Sequence, residues 1–253
     1  MGNLMDLRPS FLKGRPRAAK APQDVLQELW RSVDMPAESL SHVVLTGADP
    51  VLPSSFAVGT AAQTSMAAAA LAAAELWHLR GGARQQVGVD MLHAAQECRS
   101  YFKINGVALD PRDPLTGMYR CGDGGWVRIH ANFAHHRDGA LALLGCPQGD
   151  GATRAAVESA LSRWKALDFE QVAADAGLPV AAMRSFDEWD HHPQGQALAA
   201  QPLLTIERIG EADARPLPKY GEDARPLSDI RVLDLTRIIA GPVCGRALAA
   251  YGR

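Results

Sequence analysis

Ile230-Arg-Val-Leu-Asp-Leu-Thr-Arg-Ile-Ile-Ala-Gly-Pro242 is the stretch whose reading decides the architecture. Ile230, Val232, Leu233 and Leu235 form a short, nearly continuous apolar run, which predicts a parallel strand covered on both faces. Gly241 then suits a helix N-cap, Pro242 suits the first helical position because its ring presets a helical φ, and Val243 to Tyr251 are good helix formers. The predicted unit is strand, tight turn, helix. Unpaired N–H groups at a helix start, reinforced by the macrodipole, attract phosphate or carboxylate, and Arg237 adds a second positive group. The turn has neither the G-x-G-x-x-G of dinucleotide folds nor the G-x-x-x-x-G-K-[ST] of a P-loop, so neither a nicotinamide nor a nucleoside triphosphate is indicated. Pattern alone leaves two readings open, an anion site or a plain βα turn in a doubly wound sheet.

Arg231-Val-Leu-Asp-Leu-Thr-Arg-Ile-Ile-Ala-Gly-Pro242, followed by Ala-Leu-Ala-Ala-Tyr-Gly252, resembles the opening motif of the family III CoA-transferases of the formyl-CoA and carnitine-CoA type. Two further segments resemble the same family: Gln86-Val-Gly-Val-Asp90 after an alanine-rich helix, and Ala176-Gly-Leu-Pro-Val-Ala181. The resemblance implies an α/β fold, part of a doubly wound, Rossmann-like large domain with an inserted small α+β domain. It also implies that Arg237, Ile238, Ile239 and Ala240 touch the CoA moiety, with Ile239 standing where formyl-type enzymes carry glutamine. In that family an aspartate carboxylate attacks the acyl thioester, and free CoA thiolate opens the resulting mixed anhydride. The implied ligands are CoA or acyl-CoA and a small carboxylic acid as substrates, with no permanently bound cofactor. The implied assembly is an interlocked homo-oligomer.

The order of segments is reversed relative to that family, which suggests the C-terminal half of one transferase copy joined to the start of a second, truncated copy. The family nucleophile sits in a Gly-aromatic-Asp context. Asp49, between Ala48 and Pro50, does not match it, so no catalytic residue is assigned and the chain alone is expected to be inactive. Two alternatives stand beside this reading: a non-catalytic acyl-CoA-binding or dimerisation module, and a generic α/β module with an anion-binding helix start.

The bulk properties fit these readings. The 253 residues are 47% hydrophobic and 21% charged, and 26 Lys plus Arg against 28 Asp plus Glu give a net charge of -2. No global field recruits nucleic acid or an anionic membrane. The longest apolar stretch, Met66 to Leu76, contains Glu75 and falls far short of the roughly twenty residues a membrane span needs. Cys98, Cys121, Cys146 and Cys244 form no C-x-x-C pair and follow no apolar signal segment, which predicts reduced, small buried thiols in a cytoplasmic protein.

Along the chain, residues 1–22 read as a flexible basic arm and residues 23–100 as the first part of a large α/β domain. Within the latter, a helix begins at Asp24, a strand-like run begins at His42, an alanine-rich helix spans Thr60 to Arg80, and Gly81-Gly82 ends it. Residues 101–209 read as the small α+β domain, with a hairpin turning on Gly122-Asp-Gly-Gly125. Helices are expected over Thr153–Lys165, Phe169–Ala176 and Ser185–His191, with a strand over Leu178–Met183. Residues 210–227 are a linker rich in proline and charge, and residues 228–253 open a second α/β unit. His130, His135, His136, His191 and His192 read as surface or capping residues, since adjacent histidines point apart and offer no metal face. Trp126, Trp164 and Trp189 read as core or interface anchors.

Overall fold

The computed structural model describes residues 20–54, 56–98, 103–108, 112–213 and 224–252. Residues 1–19 of the basic arm (1–22) and 214–223 of the linker (210–227) lie outside them. Two compact units divide the chain, one holding the described residues of 101–200, the other those of 16–100 and 201–253. Among the described residues the architecture is mixed α/β with three small sheets.

The discontinuous unit is built on a strand-helix-strand crossover. Helix α1 (Pro22–Arg31) turns its apolar stripe inward, burying Leu26 and Trp30, while the Trp30 indole donates to Pro36 O at 2.8 Å. Strand β1 (Val43–Thr46) pairs in parallel with β2 (Val87–Asp90), Val43 facing Val87 and Thr46 facing Asp90. Helix α2 (Val58–Leu79) connects them. Its small side chains let neighbours approach closely, and Ala67 and Leu71 are fully buried. The core here is Trp30, Leu71, Ala74 and Val87, with Met35, Leu40 and Val43 packed on it.

Two side chains of this unit are set by the crossover. Gln63, fully buried on α2, donates to Thr46 O at 2.7 Å and Val89 O at 2.8 Å, tying the carboxyl ends of both strands to the helix. Gly81 at φ 93° ends α2 as its sequence predicts, because only glycine enters that left-handed region without strain. Helix α3 (Met91–Glu97) follows β2 directly, and Asp90 caps it by accepting from His93 N at 3.1 Å. That is the capping role its position predicts.

The other unit begins with a short hairpin, β3 (Lys103–Ile104) with β4 (Val107–Ala108), which the sequence reading did not anticipate. The expected hairpin is present as β5 (Gly117–Arg120) against β6 (Trp126–Ile129), and β7 (Val180–Ala182) completes an antiparallel sheet in the order β5-β6-β7. Asp123, in the hairpin turn, accepts from Gly125 N at 2.9 Å and from Ala166 N at 3.1 Å, so one carboxylate shapes the turn and caps α6 (Ala166–Asp175). Helices α4 (Ala134–Leu144), α5 (Arg154–Leu161) and α6 bury Leu141, Leu161 and Phe169 against Tyr119 and Val127 of the sheet. Helices α7 (Phe186–His191) and α8 (Pro193–Ala199) follow, α7 opening with a Ser185–Glu188 capping box.

The strand predicted over Ile230–Leu235 is absent, and only helix α9 (Ala240–Ala250) of the expected unit is present. A strand is defined by a ladder to a neighbour, and among the described residues this run has none. Val232, Leu233 and Leu235 therefore stay 54%, 81% and 84% exposed. The helix also starts earlier than expected: Ile239 is the N-cap, and Gly241 and Pro242 fall inside the first turn. Pro242 is tolerated there because the first N–H groups of any helix lack an internal partner.

Candidate functional site

Asp234 and Thr236 organise the approach to the turn. The Asp234 carboxylate accepts from Thr236 N at 2.8 Å and from Thr236 Oγ1 at 2.5 Å, and these hydrogen bonds hold its pKa below the usual range. Both side chains lie against α9 where it carries glycine: a Cβ on Gly241 would collide with Thr236, and one on Gly245 with the Asp234 carboxylate. The apolar run is thereby laid along its own helix through two glycines one turn apart.

Arg237, Ile238, Ile239 and Ala240 follow as one exposed turn. Ile238 sits at φ 77°, a left-handed conformation that is costly for a β-branched side chain. Ile239 makes no side-chain cap, and the first bond of α9 runs from Val243 N to Ile239 O at 2.9 Å. The N–H groups of Ala240 and Gly241 thus begin the helix without a capping side chain, and Arg237 opens the turn that leads into it. Among the described residues Arg237 makes no ion pair. The structure brings all four sequence-predicted residues together on the surface; a cavity of about 200 Å³ in the same unit lies elsewhere, between α1 and β1, lined by Asp24, Leu26, Leu40, Val43 and Leu45.

The root of this segment was not legible in the sequence. Leu227 N donates to Tyr251 O at 2.7 Å and Arg225 Nη1 to Ala250 O at 3.0 Å, closing the segment onto the last turn of α9. Arg80, at the end of α2 and only 6% exposed, donates through Nη1 to Pro226 O and Ser228 O, both at 3.0 Å. Arg246 of α9 pairs with Glu97. The only signal for Arg80 is its place before Gly81-Gly82, which any helix-ending basic residue shares.

Other candidate groups are structural in their surroundings. Asp49 accepts from Gly59 N at 3.1 Å, Thr60 N at 2.8 Å and Thr60 Oγ1 at 2.7 Å. Burial pushes its pKa up, but the Thr60 hydroxyl and the backbone donors outweigh this and hold it low, so the carboxylate is engaged at the start of α2. His135 and His136 do not point apart: their rings meet edge-on at 4.1 Å, His130 lies 6.3 Å from His136, and Phe133 packs edge-on at 5.5 Å. Both sit in the first turn of α4, where successive side chains share the space beside Phe133. Among the described residues no group of three or more His, Cys, Asp or Glu is placed to hold a metal ion.

His192 caps α8, accepting from Gln194 N at 3.2 Å, and stacks on Trp189, which at 40% exposed lies outside the core, one of the two places expected for it. Trp164 does pack on the core. Burial pushes the Cys121 thiol up to about 11, as a small core residue requires, but Cys98 and Cys244 are exposed.

No family model matches the chain. A curated relative from Gibberella moniliformis (strain M3125 / FGSC 7600), named acyl-CoA transferase, is 29% identical over 147 residues, covering 54% of this chain. The match spans 26% of that protein's length. It supports a CoA-transferase as the class of protein to which this chain is similar. Two crystal structures of a hypothetical protein (Rv3272) from Mycobacterium tuberculosis are also similar. One is 20% identical with a TM-score of 0.49, covering 78% of this chain and 59% of that one. The other, an orthorhombic form, is 19% identical with a TM-score of 0.47, covering 80% and 60%. No helix among the described residues is long and apolar enough to cross a membrane.

Proposed function

We propose that this chain is part of a family III CoA-transferase, a cytoplasmic protein that binds CoA or an acyl-CoA at the Arg237–Ala240 turn. In this reading residues 23–100 and 228–253 belong to doubly wound, Rossmann-like units and residues 101–209 to the small domain. The full reaction passes CoA to a small carboxylic acid through an aspartyl anhydride. No nucleophile is assigned in this reading, because Asp49 is committed to the start of α2 and lacks the expected context. The observation that carries the reading is the sequence match to the protein named acyl-CoA transferase. The uncapped helix start beside Arg237 supports the choice of this turn, since N–H groups and a guanidinium favour the phosphates of CoA.

The test is calorimetric titration with coenzyme A and acetyl-CoA. Binding is expected for the chain, weakened about tenfold, or about 1.4 kcal/mol, in Arg237→Ala. No heat for either protein overturns the reading.

A second reading, a non-catalytic dimerisation module, is favoured by the exposure of Val232, Leu233 and Leu235, since an uncovered strand-forming run invites pairing. Sedimentation decides it: a dimer supports this module, and a monomer at high concentration removes it.

A further inference from the structure

The Arg237–Ala240 turn ends a cantilever. Helix α9 is 11 residues long, hence about 16 Å, and a tilt of about 10° at its far end moves the turn by about 3 Å. What fixes that far end therefore fixes the turn.

We infer that Arg80 is the positioning residue for this turn, acting through the C-terminal end of α9; the inference rests on the coenzyme A reading above. Arg80 is 6% exposed, and its guanidinium donates to Pro226 O and Ser228 O, each at 3.0 Å. Ser228 is itself 7% exposed; the bond to its carbonyl is buried and the bond to Pro226 O part-buried, and such charge-assisted bonds are worth more than surface contacts. The loop they hold passes the constraint directly to the helix. Arg225 N donates to Ser228 Oγ at 2.8 Å, Leu227 N to Tyr251 O at 2.7 Å, and Arg225 Nη1 to Ala250 O at 3.0 Å.

A second charged tie between α9 and the α2–α3 body is the Arg246–Glu97 pair. The Arg246 side chain is 66% exposed, and a pair of that exposure is screened by solvent. The strained Ile238 conformation also needs external support. A β-branched residue at φ 77° persists only where its surroundings over-determine it. The glycine contacts of Asp234 and Thr236 fix one side of the segment and Arg80 fixes the other.

The experiment uses the full chain with Arg80→Met, Arg80→Gln and Arg80→Lys, reading coenzyme A affinity by calorimetry and amide hydrogen exchange of residues 225–252. Arg80→Met and Arg80→Gln are expected to weaken coenzyme A binding about tenfold and to raise exchange across α9, leaving exchange in β1, β2 and residues 103–200 unchanged. Arg80→Lys is expected to restore affinity to within about threefold, because an ammonium carries three donors and can serve both carbonyls. Should Arg80→Met fail to fold, Arg80→Gln carries the same comparison.

Wild-type affinity in Arg80→Met or Arg80→Gln overturns the positioning role alone. Failure of Lys to rescue overturns it too, since a purely packing role would not distinguish Lys from Met. Absence of binding by the wild-type chain overturns the coenzyme A reading, and the positioning role with it.

Discussion

At Ile238 the backbone holds a β-branched residue at φ 77°, and the side chain gains little in return, being 61% exposed. Glycine reaches that region without steric penalty, although it carries more entropy in the unfolded chain. Ile238→Gly is therefore expected to stabilise the start of α9 by up to about 1 kcal/mol, the residue of a larger strain term. Slower amide exchange at Val243 and Cys244 checks it. The two glycines of α9 separate in the same way. A methyl at Gly241 meets the Cβ of Thr236, which cannot move without its backbone, whereas one at Gly245 meets only the end of the Asp234 carboxylate. Alanine gains about 1 kcal/mol of helix propensity at either site. Gly245→Ala should thus keep or improve protection of α9, and Gly241→Ala should reduce it, as measured by exchange in the two variants.

Elements with a local cause were legible. The alanine-rich α2 ends at Gly81 because a left-handed residue is needed there, and the β5–β6 hairpin turns on Gly122-Asp-Gly-Gly125 because glycine permits the turn, Gly124 lying at φ 81°. The run Ile230–Leu235 misled because a strand is a property of two segments, and the apolar pattern reports only one of them. The four predicted site residues were legible as a turn, yet their support was not: Arg80 lies about 150 positions away in sequence, and nothing in its neighbourhood marks it as buried. Gln63 is a similar case, a polar residue in a small-residue helix whose two bonds go to Thr46 and Val89. Gln63→Leu preserves bulk but leaves two strand-end carbonyls without a donor, at about 2 kcal/mol in total. Chemical denaturation should show that loss, with exchange rising first at β1 and β2.

At the scale of the whole chain, the two units answer acid differently because their titrating groups differ. In the 103–200 unit, burial pushes the His136 pKa below 6.5, and the neighbouring His135 and His130 push it the same way. Its Nδ1 is enclosed without a hydrogen-bond partner. The unfolded chain then binds a proton that the folded unit refuses, so stability present above pH 6.5 is lost as pH falls through that value toward the depressed folded pKa. In the same unit Glu170 is held low first by its hydrogen bond from Arg184, and its contribution is lost only as pH falls below about 4.5. His191 works in the opposite sense, raised by the Asp187 carbonyl and carboxylate, but its side chain is 77% exposed and solvent screens it. In the other unit the lowered groups are the carboxylates Asp49, Asp90 and Asp234, whose contributions persist to lower pH. Between pH 7 and 5, protection should therefore fall within residues 103–200 while β1, α2 and β2 keep theirs. His136→Phe removes the titrating group and keeps the ring beside Phe133, so it should flatten the pH dependence of that unit alone. Hydrogen exchange corrected for intrinsic rates measures both, and parallel loss in the two units, or an unchanged slope in His136→Phe, would defeat the assignment.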